Sequence, residues 1–297
     1  KYISPVNEPQ VSWGGDDVYQ EGCHYETEEL FKLYKLFAKS IKARGLDVKL
    51  SMCEVSKITS KTFDYLKYVY NDPDLREVLG TYTYHSYCSD INYFIKSWWG
   101  RYIKKYPGVI YDMSEWCELP VTMSNKSTRS ALFMARVMAQ DLFISNASFW
   151  SAWVAVSEGD ENGDGLIIAN HDCSEYYVAQ RYYAMAHFSK FVPEGSRLIS
   201  CKKDVNDRFS SMSREKLENY IGFRTNTAAF LTPDGKIVLV IVNGGKEHTF
   251  SLSGIEGRDH LTTYTTDGNR KVELTYDGAY QQTLTIPAYS ITTAIFE

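Results

Sequence analysis

Two glutamates of this chain stand where a carboxylate can react. Glu8 lies in Ile3-Ser4-Pro5-Val6-Asn7-Glu8-Pro9-Gln10, and Glu115 lies in Met113-Ser114-Glu115-Trp116-Cys117. Pro5 and Pro9 forbid a helix between them, so Glu8 sits on rigid, kinked backbone behind the short β-prone run Tyr2-Ile3. Glu115 follows the apolar run Val109 to Met113 in the same way. Two carboxylates brought to one cleft from the ends of different strands can divide the work of breaking a glycosidic bond. One, protonated, gives its proton to the leaving oxygen; the other, ionised, attacks the anomeric carbon and raises the pKa of its partner. Spacing alone leaves a solvated loop glutamate as the alternative for Glu8.

The elements that must hold these groups alternate in type. Between Glu26 and Arg44, apolar residues at Leu30, Leu33, Tyr34, Phe37, Ala38 and Ile41 follow one helical face, with Thr27 as N-cap and Gly45 as the stop. Val48 to Cys53 is a strand, with Glu54 at its carboxyl end. Helical stretches follow at Lys61 to Tyr70 and Leu75 to Leu79. Next come a strand at Thr81 to Tyr84, a helix at Ile91 to Tyr106, the strand at Val109 to Met113 and a helix at Ser127 to Phe143. Ala147 to Val154 is then a fifth strand, and Glu175 to Phe191 a last helix before Pro193 and Gly195. Strands alternating with helices predict a parallel sheet covered by helices, the α/β class.

None of the connections carries a glycine-rich phosphate turn, which favours a closed barrel over a doubly wound sheet. In a barrel every strand end opens on one mouth. The fold expected is therefore the C-terminal part of a (β/α)8 TIM barrel, about five βα units, over residues 1–195. An antiparallel β-sandwich is expected over 196–297. Its runs, such as Lys236 to Val242, Leu261 to Tyr264 and Ser290 to Ile295, are short and rich in β-branched residues, and Asp234-Gly235, Asp267-Gly268 and Asp277-Gly278 offer turns. Arg208 to Ile221 reads as a helical or loop insert.

Composition narrows the function classes. With 297 residues, 44% apolar and 23% charged, the chain is globular, and a net charge of -5 without a basic run points away from nucleic acid and lipid surfaces. No apolar run is long enough to span a bilayer, and no signal peptide is visible. The 23 Tyr and 6 Trp lean towards carbohydrate, since a ring with a polar tip matches a sugar's C–H face and hydroxyl rim; core packing absorbs most of them. Six cysteines without a CxxC pair argue against zinc and redox motifs and are expected as buried free thiols. Asp160-Glu161-Asn162-Gly163-Asp164-Gly165 resembles the first half of a calcium loop but has His171 where the closing glutamate belongs, so a tight acidic turn is expected and no metal. Asn125-Lys126-Ser127 and Asn146-Ala147-Ser148 fit the glycosylation pattern.

Four stretches in order carry a resemblance: Ile3 to Gln10, Tyr84-His85-Ser86-Tyr87, Met113 to Cys117, and Ile286-Pro287-Ala288-Tyr289-Ser290-Ile291-Thr292-Thr293. Together they resemble glycoside hydrolase family 30, and Tyr19-Gln20-Glu21-Gly22-Cys23 resembles the branch that includes endo-β-1,6-galactanases. The resemblance implies a retaining hydrolase of a β-linked polysaccharide, exported from the cell and without cofactor. It makes Glu8 the acid/base after the fourth barrel strand and Glu115 the nucleophile after the seventh. By the same resemblance Asn7 binds the sugar's 2-hydroxyl, Tyr87 donates to the nucleophile, and Tyr84, His85 and Trp116 line the subsite. Trp153 forms an aromatic wall with Trp150 beside it, although Val154 stands where relatives often carry a polar residue. Plain alternatives stay open: His85 as a core histidine, Trp150 as core packing, Glu54 as a structural carboxylate, and Trp13 as either a sugar platform or a cover on the barrel rim. Since such a barrel has eight units and five are counted, the expectation is a fragment of a longer polypeptide, or an opening covered by another chain.

Overall fold

The computed structural model describes residues 1–13, 21–90, 92–119, 123–159, 164–201, 225–255 and 257–297. The insert expected at Arg208 to Ile221 and the first four residues of the acidic turn lie outside them. Two compact units make up the chain: Lys1–Trp116 with Ile144–Ser151, and Cys117–Phe143 with Ala152–Glu297.

In the first unit, five parallel strands pair in the order in which the chain makes them: β1 (Tyr2–Ile3), β2 (Lys49–Val55), β3 (Leu79–His85), β4 (Tyr111–Glu115) and β5 (Phe149–Trp150). Each strand joins the sheet beside its predecessor, the single winding of a barrel wall, so the sheet is an arc of a barrel. Alternation along β3 sorts its side chains. Tyr82 and Tyr84 pack on Trp99, each at 5.8 Å between ring centroids, while Thr81 and Thr83 share a hydrogen bond on the opposite face, where His85 also lies. Trp99 is fully buried and also meets Phe63 and Tyr111.

Helices α1 (Thr27–Arg44), α2 (Ser60–Asn71), α3 (Pro73–Val78) and α4 (Tyr93–Tyr102) accompany this sheet. The N-cap of α1 is Glu26, one residue before the expected Thr27, because Glu26 takes an extended backbone and shares a capping box with Glu29. Gly45 ends the helix in the left-handed conformation, at φ 59°. Helix α4 is shorter than expected and closes in a 3-10 turn at Ile103–Lys105.

The second unit holds a six-stranded sheet. Its spatial order is β14 (Glu273–Ala279), β13 (His260–Thr266), β16 (Ser290–Phe296), β11 (Ile237–Asn243), β10 (Thr225–Leu231), β9 (Arg197–Ile199). A two-stranded sheet of β12 (His248–Ser251) and β15 (Thr283–Ile286) accompanies it, and Ile241, Leu261, Leu284, Ile286, Ala294 and Phe296 form the core. Asp277-Gly278 lies inside β14, not at a turn: Asp277 pairs with Thr262 and accepts a hydrogen bond at 2.7 Å from His260. Helices α5 (Thr128–Phe143) and α6 (Gln180–Ser189) pack on each other and on this sheet, so most of α5 is buried.

The expected strand Ala147 to Val154 is real only over Phe149–Trp150. After it the chain makes β6 (Val156–Glu158), β7 (Ile167–Ala169) and β8 (Tyr176–Val178), which the sequence reading missed. Tyr176-Tyr177-Val178 is aromatic and β-branched and pairs antiparallel with β7, which is why α6 begins at Gln180 and not at Glu175. Asn125 is buried beneath Arg181, whose guanidinium it accepts from, so it is no glycosylation acceptor in the folded chain. None of the six cysteines is in a disulfide, but only Cys53 and Cys117 are buried; Cys88 and Cys173 are exposed and Cys23 and Cys201 are half-buried, contrary to the expectation of buried thiols.

Candidate active site

The carboxyl ends of β1, β2, β3 and β4 bring four ionisable groups together: Glu8, Glu54, His85 and Glu115. The segment after β1 turns at Glu8, whose φ of 48° is unusual for a residue with a side chain. Its N–H donates to the Glu54 carbonyl at 2.9 Å, tying the turn to β2. Both oxygens of the buried Glu8 carboxylate have donors. Trp13 Nε1 donates to Oε2 at 2.7 Å, and His85 Nδ1 lies 2.9 Å from Oε1.

At the end of β2, Cys53 and Glu54 have φ of 88° and 43°, and the pairing with β3 slips between Met52 and Val55. This bulge sets the Glu54 carboxylate against Ser114, which donates to Oε2 at 2.5 Å, and 3.4 Å from His85 Nε2. Glu115 ends β4 beside His85, its register partner on β3. Tyr87 donates to Glu115 Oε1 at 3.0 Å, and His85 Nδ1 lies 3.8 Å from the same oxygen.

One imidazole therefore faces three carboxylates. Burial alone would make His85 easier to deprotonate, but hydrogen bonds to Glu54 and Glu8 and the charge of Glu115 outweigh it and push the pKa up to about 9. The three carboxylates thus favour the protonated ring. Burial holds the Glu115 carboxyl above its ordinary range, and the charges of Glu8 and Glu54 add to this; His85 and Tyr87 offset part of the rise.

Ligand-type atoms of Glu8, His85 and Glu115 lie within 4.8 Å of one another. Both ring nitrogens of His85 already face carboxylates, so the set reads as a hydrogen-bonded acid network and not as a metal centre. What such a network can do is hold a proton on one carboxylate while keeping its neighbour ionised.

The remaining expected residues are spread more widely. Asn7 is exposed beside the buried Glu8. Trp116 is buried, donates from Nε1 to Asp90 at 3.1 Å and packs on Trp150 with ring centroids 6.0 Å apart. Tyr84 is fully buried on the face of β3 that carries Trp99, opposite to the face of His85. Trp153 belongs to the second unit and is 51% exposed.

Residues 1–168 match the model of O-glycosyl hydrolase family 30, and residues 221–294 match the model of the glycosyl hydrolase family 30 beta sandwich domain. The chain belongs to glycoside hydrolase family 30. Solved structures of the same fold include a conserved exported protein from Bacteroides fragilis, 22% identical with a TM-score of 0.79, of which the chain covers 64%. Another is a family 30 endoxylanase from Clostridium papyrosolvens C71, 18% identical with a TM-score of 0.70, of which it covers 65%. A third is an endo-β-1,6-glucanase, 17% identical with a TM-score of 0.65, of which it covers 58%. The match takes in 99%, 100% and 99% of this chain respectively, so it spans less than two thirds of each of these longer chains.

Within this family 30 chain, sequence reasoning missed two connections. Trp13, for which a sugar platform and a rim cover both stay open, also donates its indole N–H to Glu8. Glu54 was read as a structural carboxylate, and it touches His85 and Ser114 and receives the Glu8 N–H. The signal available for Glu54 was its place at the end of the strand next to β1; nothing in the sequence announced the two left-handed residues that turn it inward.

Proposed function

We propose that this chain carries the catalytic pair of a retaining glycoside hydrolase that acts on a β-linked polysaccharide. The observation that supports this reading is the distance between the carboxylates. Oxygens of Glu8 and Glu115 within 4.8 Å are nearer to the roughly 5 to 5.5 Å usual between the carboxyl groups of retaining enzymes than to the roughly 6.5 to 9.5 Å of inverting ones.

Glu115 attacks the anomeric carbon while Glu8 protonates the departing glycosidic oxygen. Glu8 then takes a proton from the water that releases the glycosyl group from Glu115. The bond from Tyr87 keeps one Glu115 oxygen oriented before attack, and the role of Asn7 at a sugar hydroxyl is in keeping with its exposure beside Glu8.

Among β-glycans, a β-1,6-linked galactan is the first substrate to test, on the likeness of the Tyr19 to Cys23 stretch, with β-1,6-glucan, glucuronoxylan and simple glucosides as the comparison set. Release of reducing ends from galactan is expected, and Glu115→Ala and Glu8→Ala each abolish it. Azide restores turnover to Glu115→Ala by replacing the missing nucleophile. Binding of the glycan with no turnover by the unmodified chain would instead favour a carbohydrate-binding role.

We also infer that further strands, from a longer polypeptide or a second chain, complete the barrel. The edge strands β1 and β5 leave Tyr2, Ile3 and Phe149 exposed by 60%, 44% and 54%, and open apolar edges of a parallel sheet are normally covered. In this reading the barrel part ends near residue 195. Export suits a polysaccharide hydrolase, and the Bacteroides fragilis relative is named as exported.

A further inference from the structure

Glu54 has no part in the two-carboxylate scheme, yet the backbone is bent to deliver it. Two consecutive residues with side chains take left-handed φ at the end of β2, where the ladder to β3 slips. A strand holds such a conformation only where its surroundings over-determine it. The turned carboxylate accepts from Ser114 at 2.5 Å, directly before Glu115 in the chain, and faces His85 Nε2 at 3.4 Å. The Glu54 carbonyl receives the N–H of Glu8 at 2.9 Å.

We propose that Glu54 is a positioning residue of the catalytic centre: it holds His85 as an imidazolium between Glu8 and Glu115, and its carbonyl fixes the backbone that carries Glu8. The inference rests on the reading of Glu8 and Glu115 as the reacting pair.

The donor count of the ring supports it. A neutral imidazole has one N–H and one lone pair, so with a carboxylate at each nitrogen it would set its lone pair against one of them. Only the cation donates to Glu8 and Glu54 together. The groups that face the ring are Glu8 after β1, Glu54 on β2, Tyr87 after β3 and Glu115 on β4. The carboxylates stabilise the charge, and Tyr87 presents its ring at 5.9 Å, close to perpendicular. A fixed cation at this point favours the ionised form of Glu115, offsetting part of the effect of burial, and stabilises the Glu8 carboxylate once it has given up its proton. The His85 pKa of about 9 is in keeping with the geometry.

The test is a 15N NMR titration of the full chain with labelled histidine, the His85 signals being assigned with His85→Asn. Both ring nitrogens of His85 are expected to carry protons at pH 7.5 in the unmodified protein. Glu54→Gln is expected to lower the titration midpoint by about one unit or more. In turnover, Glu54→Gln is expected to lower kcat with KM little changed and to move the alkaline limb of the pH profile downwards, and Glu54→Asp to restore part of both. A neutral His85 in the unmodified protein at pH 7.5 would overturn the proposal, as would an unmoved midpoint in Glu54→Gln. The first of these needs no variant to fold. Neither needs substrate, so the proposal fails separately from the hydrolysis test of Glu8 and Glu115.

Discussion

At the scale of residues, the candidate site treats chemically identical groups unequally. Glu8 and Glu115 are both strand-end glutamates, but Glu8 is buried with a donor at each oxygen, whereas Glu115 keeps a 17% exposed side chain with Tyr87 as its close donor. If Glu115 is the nucleophile, as proposed, it attacks when ionised; since its carboxyl is held above its ordinary range, the acid limb of the kcat/KM profile is expected at a higher pH than an unperturbed glutamate would give. Tyr87→Phe removes a group that favours the ionised form, so this limb is expected to move further up in pH, with little effect on folding. An unchanged or lowered acid limb in Tyr87→Phe would contradict the role given to that hydroxyl. His85 bears on stability in the opposite sense to an ordinary carboxylate. Its folded pKa of about 9 lies above the ordinary 6.5, so its contribution is full below about pH 6.5 and lost as pH rises through about 9. Thermal melts across that window should show the decline, and His85→Asn should flatten it.

At the scale of elements, what mattered most was how strands end. The helices around β2 and β3 were legible in sequence because an amphipathic stripe and a Gly stop act locally, and α1 closes at Gly45 as its pattern requires. Caps were less legible. Asp72 serves two elements at once: it accepts from the N–H groups of Asp74 and Leu75 at the start of α3, each at 3.1 Å, and pairs with Lys35 of α1 at 2.7 Å. Asp72→Ala is expected to cost about 1 kcal/mol in chemical denaturation for the lost cap. Burial works against the charge of Asp72, but Lys35 and the cap N–H groups win and hold its pKa below the ordinary value. Its stabilisation is therefore present above about pH 4 and lost as pH falls through the lowered pKa, so the deficit of the variant should shrink in acid. The short strands β6 to β8 escaped sequence reading because each has three residues and pairs only with its neighbours in this small sheet, too little for a period of two to register.

At the scale of the whole molecule, the five-strand arc has two edges. Among the described residues, strands β2, β3 and β4 each pair on both sides, while β1 and β5 pair on one. Hydrogen exchange of the chain by itself should find strong protection at amides of β2 to β4 and weak protection at β1 and β5. Strong protection at both edges in a monomer would contradict the inference that further strands cover them.

The barrel arc, the β-rich second part and the places of Glu8 and Glu115 after strands could be read in advance because they rest on periodicity and on residues that follow strands, which are properties of neighbouring positions in the chain. The sequence by itself determined which carboxylates stand at strand ends. Only the tertiary structure decided which charge meets which. The bulge at Cys53 and Glu54, the indole of Trp13 on Glu8 and the single imidazole facing three carboxylates join residues up to 107 positions apart, from Glu8 to Glu115. Interactions of that range depend on distances of a few ångströms, which no local pattern of residue types encodes.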